Sequence, residues 1–262
     1  MREIYIIPDP SMIEHSMQIC EEYHAHFEYN DFFLPAVLDD LSKKMELIHF
    51  YRGLERDRSR DMLHGAFLDV TIHSEDSRIR QVSELRVRQS MDVAKELDIR
   101  GVVFHTNLIP NFRVKSYLQH WLDCSEIFWR KILSDYPNLE IVIENMFDET
   151  PDILVALAMR MQDEPRFGIC FDYAHANAFG NDINDWACKL LPYTHHMHIN
   201  DNDLKDDLHL CVGEGEIDWI LFDNFVKNRN TFCSVLIEVR DLSKQKKSLE
   251  YMKTKGIYPF EY

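Results

Sequence analysis

Six short apolar runs in this chain each finish on a residue able to hold a metal ion: His64 (DMLHG), His105 (VVFHTN), Glu144 (IVIEN), Asp172 (GICFDYAH), His198 (HHMHIND) and Glu238 (SVLIEV). Runs of this length and composition read as buried strands, so each polar residue falls where a strand stops and a loop begins. His175, Asp207 and His209 stand close by in sequence. Imidazoles and carboxylates suit zinc, manganese and other divalent ions, so the pattern implies a centre that holds one to three of them.

Strand-like and helix-like segments alternate from end to end. The strands are expected near Ile4–Ile7, Phe27–Tyr29, Met62–His64, Val102–His105, Ile141–Asn145, Phe167–Asp172, His196–Asn200 and Val235–Val239. Helical signals lie between them: Ser11 with Glu14 as a capping box, Thr150-Pro151 as N-cap and first turn, and apolar spacing through Val82–Leu97 and Tyr117–Leu133. Eight βα units predict a single-domain α/β fold, a (β/α)8 TIM barrel over residues 1–262, for which roughly 250 residues is typical. A closed barrel brings strands three to eight together at one end, so six ligands distant in sequence would meet in one basin. An open doubly wound sheet would gather them less easily.

Acidic residues outnumber basic ones 45 to 29, and the formal net charge of −16 repels nucleic-acid phosphates and anionic membranes at long range. The loops expected around the basin are acidic or neutral, with Arg113, Lys115, Lys205, Arg240 and Lys244 as their only cations. These features predict a small-molecule substrate and disfavour nucleic acid as a partner. Six scattered cysteines without a CxxC pair predict free thiols in a reducing, cytoplasmic setting. No run approaches the apolar length needed to cross a bilayer. A homo-oligomer is compatible with all of this.

Three motifs are specific enough to carry a resemblance: FDYAHANAFG, HINDN and DLHLCVGEGEIDW. With their Asp-x-x-His, His-x-x-Asp and Asp-x-His followed by Gly-x-Gly-x-Ile, they resemble the xylose isomerase-like barrel superfamily, and the match covers nearly the whole chain. In its endonuclease IV branch the resemblance implies three zinc ions on His64, His105, Glu144, Asp172, His175, His198, Asp207, His209 and Glu238. In its isomerase branch it implies a single manganese or similar ion on Glu144, Asp172, His198 and Glu238.

Both readings use the same core. An isomerase or epimerase of a small sugar or polyol needs a base on each side of the substrate and a Lewis acid, which Glu144, Glu238 and one ion would supply. This is the leading expectation. A phosphodiesterase of the abasic-site type, or a phosphoesterase on small substrates, needs clustered ions and would give His64, His105, Asp207 and His209 a duty that the single-ion site lacks. A sugar-binding barrel without activity is a third class, disfavoured by the intact ligand set. Substrate contacts are expected from His175, Lys205, Arg240 and, less directly, Glu28, whereas His196 is expected to pack beneath His198. Phe32, Phe33 and Phe67 are candidates for the pocket wall, and Gly213 and Gly215 for a tight loop beside the site.

Overall fold

A computed structural model describes residues 3–228 and 233–260. Eight parallel strands close into a barrel in sequence order: β1 (Ile4–Ile6), β2 (Ala25–Tyr29), β3 (Met62–His64), β4 (Gly101–His105), β5 (Glu140–Glu144), β6 (Phe167–Asp172), β7 (Thr194–Ile199) and β8 (Ser234–Ile237). Closure is made by β1 pairing with β8, Ile4 opposite Val235 and Ile6 opposite Ile237. Every expected strand is present, with ends displaced by a residue or two. No helix among the described residues is long and apolar enough to cross a membrane.

Successive side chains of a strand point to opposite faces, so residues two apart share the barrel interior. Tyr5, Met62, Val103, Val142, Cys170 and Leu236 fill one interior layer, joined by Glu28 and His196, all buried. Two residues further along β3 to β8 come His64, His105, Glu144, Asp172, His198 and Glu238. The apolar layer is thus a floor, and the ligand layer is the next step toward the C-terminal ends of the strands. The outward faces pack on the helices in the main hydrophobic core, which includes Phe27, Leu63, Phe104, Ile143, Phe171 and Trp186.

At the opposite end of the barrel, Asp61, fully buried before β3, accepts from Phe27 N at 2.9 Å and from Tyr29 Oη at 2.6 Å. It also pairs with Arg56, which lies 3.9 Å above the Phe27 ring. Arg60 pairs with Glu3 ahead of β1. The Arg52–Arg60 cluster therefore belongs to the stability face, away from the ligand layer.

Two helix starts differ from expectation. Ser11 is not a cap: Asp9 accepts from Ser11 N at 2.8 Å and caps a 3-10 turn, Pro10–Met12, that leads into the helix Ile13–Tyr23. Aspartate one residue before proline is the stronger signal, because the proline ring fixes the first helical φ while the carboxylate meets the free N–H groups. In the helix Asp152–Arg160, Pro151 itself holds the N-cap position and Thr150 makes no cap. The other two helices run longer than their apolar stripes, Ser77–Leu97 and Lys115–Asp135.

Candidate metal centre

Glu144, at the end of β5, is the hub. Its Oε2 lies 3.1 Å from His105 Nε2, 3.2 Å from His198 Nδ1 and 4.0 Å from His64 Nε2. Two ligand groups share it: His64, His105 and Glu144 form one, and Glu144, Asp172, His198 and Glu238 form the other, with candidate atoms of each group within 4.8 Å of one another. A third set sits to one side, where Asp207 Oδ2 lies 3.4 Å from His175 Nε2 and 3.0 Å from His209 Nε2. All nine expected ligands are brought together.

Four of the five histidines are oriented so that one ring nitrogen turns inward. A carbonyl can only accept, so His64 donates Nδ1–H to Gly65 O (3.0 Å), His175 to Asn145 O (2.9 Å) and His209 to Glu238 O (2.7 Å), leaving each Nε2 as the ligand atom. His198 is reversed, with Nε2 against the carboxylate of Glu28 (3.2 Å) and Nδ1 facing the hub. His64 Nε2 and His105 Nε2 stand 3.2 Å apart. Both Glu144 oxygens, Asp172 Oδ2, His198 Nδ1 and Glu238 Oε2 are buried and lack a hydrogen-bond partner. Buried polar atoms are seldom left unmet, so this inward-facing set of donors fits divalent cations.

Charge within the bare site is strongly coupled. Burial opposes ionisation of Glu144, yet His198 and His105 hold its carboxyl well below the usual range. Burial dominates at Asp172 and pushes it well up. His175 and His198 are raised despite their burial, His175 by Asp172 and Asp207 and His198 by Cys170 and Glu144. Burial also opposes the charge on His209, but Glu238 and Asp207 bring it to about 10. Burial and the neighbouring His105 lower His64.

Loops after the strands position the set. Asn145 clamps β6, donating Nδ2–H to Asp172 O (2.8 Å) and accepting from Asp172 N (2.9 Å). Asp172 in turn caps the helix Tyr173–Phe179 by accepting from His175 N, which fixes the Asp-x-x-His pair. Asp201 is the anchor of the loop that carries Asp207 and His209: its carboxylate accepts from Gly213 N (2.8 Å), Trp219 Nε1 (2.8 Å) and Ile217 N (3.2 Å). Gly213 has φ of +90°, and a Cβ at Gly215 would lie 2.3 Å from Asn202 O, so both glycines of the Gly-x-Gly run are required by the turn. His209 itself holds φ at +46°, a conformation uncommon outside glycine, kept by this network.

A cavity of about 420 Å³ opens over the ligands, walled by His64, His105, His175, Asp207, His209 and Glu238. Phe33 and Phe67 line it as well, whereas Phe32 is core. Arg240 lines the rim with its guanidinium 5.8 Å over the Phe33 ring, and Lys244 is beside it. Two expected substrate contacts are corrected. Lys205 stands exposed outside the cavity wall, on a turn where Asp203 Oδ1 accepts from Lys205 N and Asp206 N. Glu28 is completely buried in the floor layer, accepting from His196 Nε2 at 3.0 Å as well as from His198, and does not line the cavity. Sequence reasoning missed the anchoring roles of Asn145 and Asp201; the only trace was their place one and three residues past a strand-end ligand.

Comparison with known proteins agrees with this architecture. The xylose isomerase-like TIM barrel family matches residues 35–255. Uncharacterised protein MJ1311 of Methanocaldococcus jannaschii is 31% identical over 206 residues, 73% of this chain and 68% of that one. A probable endonuclease 4 of Halorhodospira halophila is 22% identical over 180 residues, 60% of this chain and 59% of its own length. Among solved structures, the TTHB071 protein of Thermus thermophilus, soaked with ZnCl2, superposes with a TM-score of 0.74 at 22% identity over 97% of each chain. A D-tagatose 3-epimerase-like protein superposes with a TM-score of 0.72 at 25% identity over 97% of this chain and 96% of that one. The barrel, its strand-end ligands and the extent of the family match together make this chain a member of the xylose isomerase-like TIM barrel family.

Proposed function

We propose that the chain is a multinuclear divalent-metal hydrolase of small phosphoesters. One observation carries the reading: Glu144 is fully buried, shared by two ligand groups and absent from the cavity wall, while His64 and His105 line that wall. A base that moves a proton between carbons must reach the substrate. Glu144 would instead serve both ligand groups as a shared ligand.

Charge supports the same conclusion. Glu144, Asp172, Asp207 and Glu238 offer four carboxyl groups to divalent ions, and each further ion would add positive charge for a phosphoryl group to meet. Ions bound there would acidify a water and stabilise charge on phosphoryl oxygens. Arg240 and Lys244 at the rim would neutralise the remaining phosphate charge, and Phe33 and Phe67 would exclude bulk water. The likeness to a probable endonuclease 4 favours phosphoester chemistry, while the cavity size and the chain's −16 charge favour a small substrate over a polymer.

A sugar isomerase or epimerase is the second reading. It is favoured by Glu238, which does line the cavity, and by likeness to a D-tagatose 3-epimerase-like protein. Metal content by mass spectrometry, together with activity, separates the two. More than one zinc per chain, reduced by one in His64→Ala, with cleavage of p-nitrophenyl phosphate or its diester that is lost in the same variant, is the expected result. One ion unaffected by His64→Ala, with proton exchange on a ketohexose, would overturn it.

A further inference from the structure

Beside the metal cavity lies a second one of about 360 Å³, within the size range of small-molecule sites, formed by the loops after β4 and β5. Phe147 lines both cavities, so they adjoin. The walls are apolar residues that a loop does not normally present to water: Ile109 is 56% exposed, Phe112 44% and Phe147 41%. Each ring is braced from behind, Phe112 by Tyr117 and Phe147 by Phe179, both at 5.0 Å between centroids, which leaves aromatic surface for the cavity.

A polar group accompanies these rings. Asp148 lines the cavity, is only 6% exposed, and spends Oδ2 on Thr106 Oγ1 and Met146 N, both at 2.8 Å; its Oδ1 has no partner. Asn111 and Asn181 also line the wall. Aromatic faces with a few fixed polar groups make a site that stacks a planar ring and reads its edge.

Building on the hydrolase reading above, we propose that this second cavity binds the leaving-group half of the substrate, and that this half carries a planar nitrogen heterocycle with a hydrogen-bonding edge, of nucleoside size. The ester bond then lies at the junction by Phe147, its phosphoryl group toward the ligand layer and its ring between Phe112 and Phe147. The favoured substrate is a nucleotide-like small phosphoester, not an alkyl phosphate.

The test uses zinc-loaded protein, Phe112→Ala as the probe variant and two measurements. Phe112 lines the second cavity and not the first and is an exposed loop residue, so its truncation leaves the fold and the ligand layer intact. In the first measurement, saturation-transfer NMR with adenosine reports binding without chemistry; the wild type binds, Phe112→Ala binds on the order of tenfold more weakly, and His64→Ala binds as the wild type does. In the second, KM for adenosine monophosphate rises by a similar factor in Phe112→Ala, while KM for glycerol phosphate is unchanged. Adenosine that fails to bind the wild type, or equal kcat/KM for ring and alkyl phosphates, overturns the ring site. Adenosine binding that depends on Phe112, with no phosphoester cleaved, would uphold the ring site and refute the hydrolase reading instead.

Discussion

Replacing Glu28 tests how the floor of the barrel controls the metal centre. Glu28 does not line the cavity, yet it accepts from His196 Nε2 at 3.0 Å and His198 Nε2 at 3.2 Å, and His198 Nδ1 is the atom that faces Glu144. Burial opposes its charge, but His198 and His196 hold its carboxyl well below the usual range. A carboxylate behind a ligand histidine fixes the tautomer and raises its basicity, and removal of such a partner costs roughly 10- to 100-fold in metal affinity. The structure says where in that range each variant falls. In Glu28→Gln the amide oxygen can still accept from His198, while its NH2 donates to His196 Nε2 if His196 turns its proton to Nδ1, where Ser234 Oγ waits 2.6 Å away. Geometry survives and only charge is lost, so zinc affinity falls about tenfold, equivalent to about 1.4 kcal/mol. In Glu28→Ala both acceptors vanish, His198 Nε2–H is left buried and unmet, and the loss approaches about 100-fold, with a further 1–3 kcal/mol, roughly, off the stability of the metal-free protein. Competition against a chromophoric chelator measures the affinities, and nitrogen-15 histidine spectra read the tautomers. Unchanged zinc affinity in Glu28→Gln, or a His198 that keeps its Nε2 proton in Glu28→Ala at full affinity, would refute the reasoning.

Two other outcomes are expected. In the metal-free protein the surrounding carboxylates raise His175, His198 and His209, the last to about 10, so zinc competes with protons for them. Because folding raises these pKa values, the stability they lend the bare protein is full below the unfolded value of about 6.5 and is lost as pH rises toward the folded one. Zinc affinity moves the opposite way and climbs from pH 7 upward; calorimetry at pH 7 in buffers of different ionisation enthalpy should register at least one proton released, and a buffer-independent enthalpy would contradict it. At the other end of the barrel, Arg56→Ala leaves the buried Asp61 charge unpaired, which costs about 3–5 kcal/mol and lowers Tm by on the order of 10 °C at unchanged zinc content. A Tm within about 2 °C of wild type would place the strength of that end elsewhere.

The barrel and the clustering of its candidate ligands were legible because both rest on a local rule. A strand that must bury alternate residues can place a polar one inside only where the interior meets solvent, so a His, Glu or Asp at the end of an apolar run marks its own position along the barrel axis. Register does the rest: His105 faces Glu144, and Asp172 faces His198. What the sequence concealed depends on neighbours brought in from afar. Glu28 and His198 are 170 residues apart, and nothing near HFEYN marks that glutamate as a histidine's partner and not a substrate contact. The same holds for Asp201, whose carboxylate collects donors from Gly213, Ile217 and Trp219 and so fixes the loop of Asp207 and His209.

These hidden contacts share one logic. The hub residue Glu144 takes no hydrogen bond, and four of the five histidines around it are oriented from their far sides, His64 by Gly65, His175 by Asn145, His209 by the Glu238 carbonyl and His198 by Glu28, while the far nitrogen of His105 is unmet. Three of those acceptors are backbone carbonyls, which no side-chain substitution removes, and each belongs to the residue directly after a strand. The barrel therefore orients three of the five histidines by the same backbone that forms its strands. His198 is the exception, oriented by a carboxylate that a single substitution deletes. It is also a member of the deepest ligand group, which is why the floor of the barrel is the sharpest place to perturb metal binding without touching the cavity.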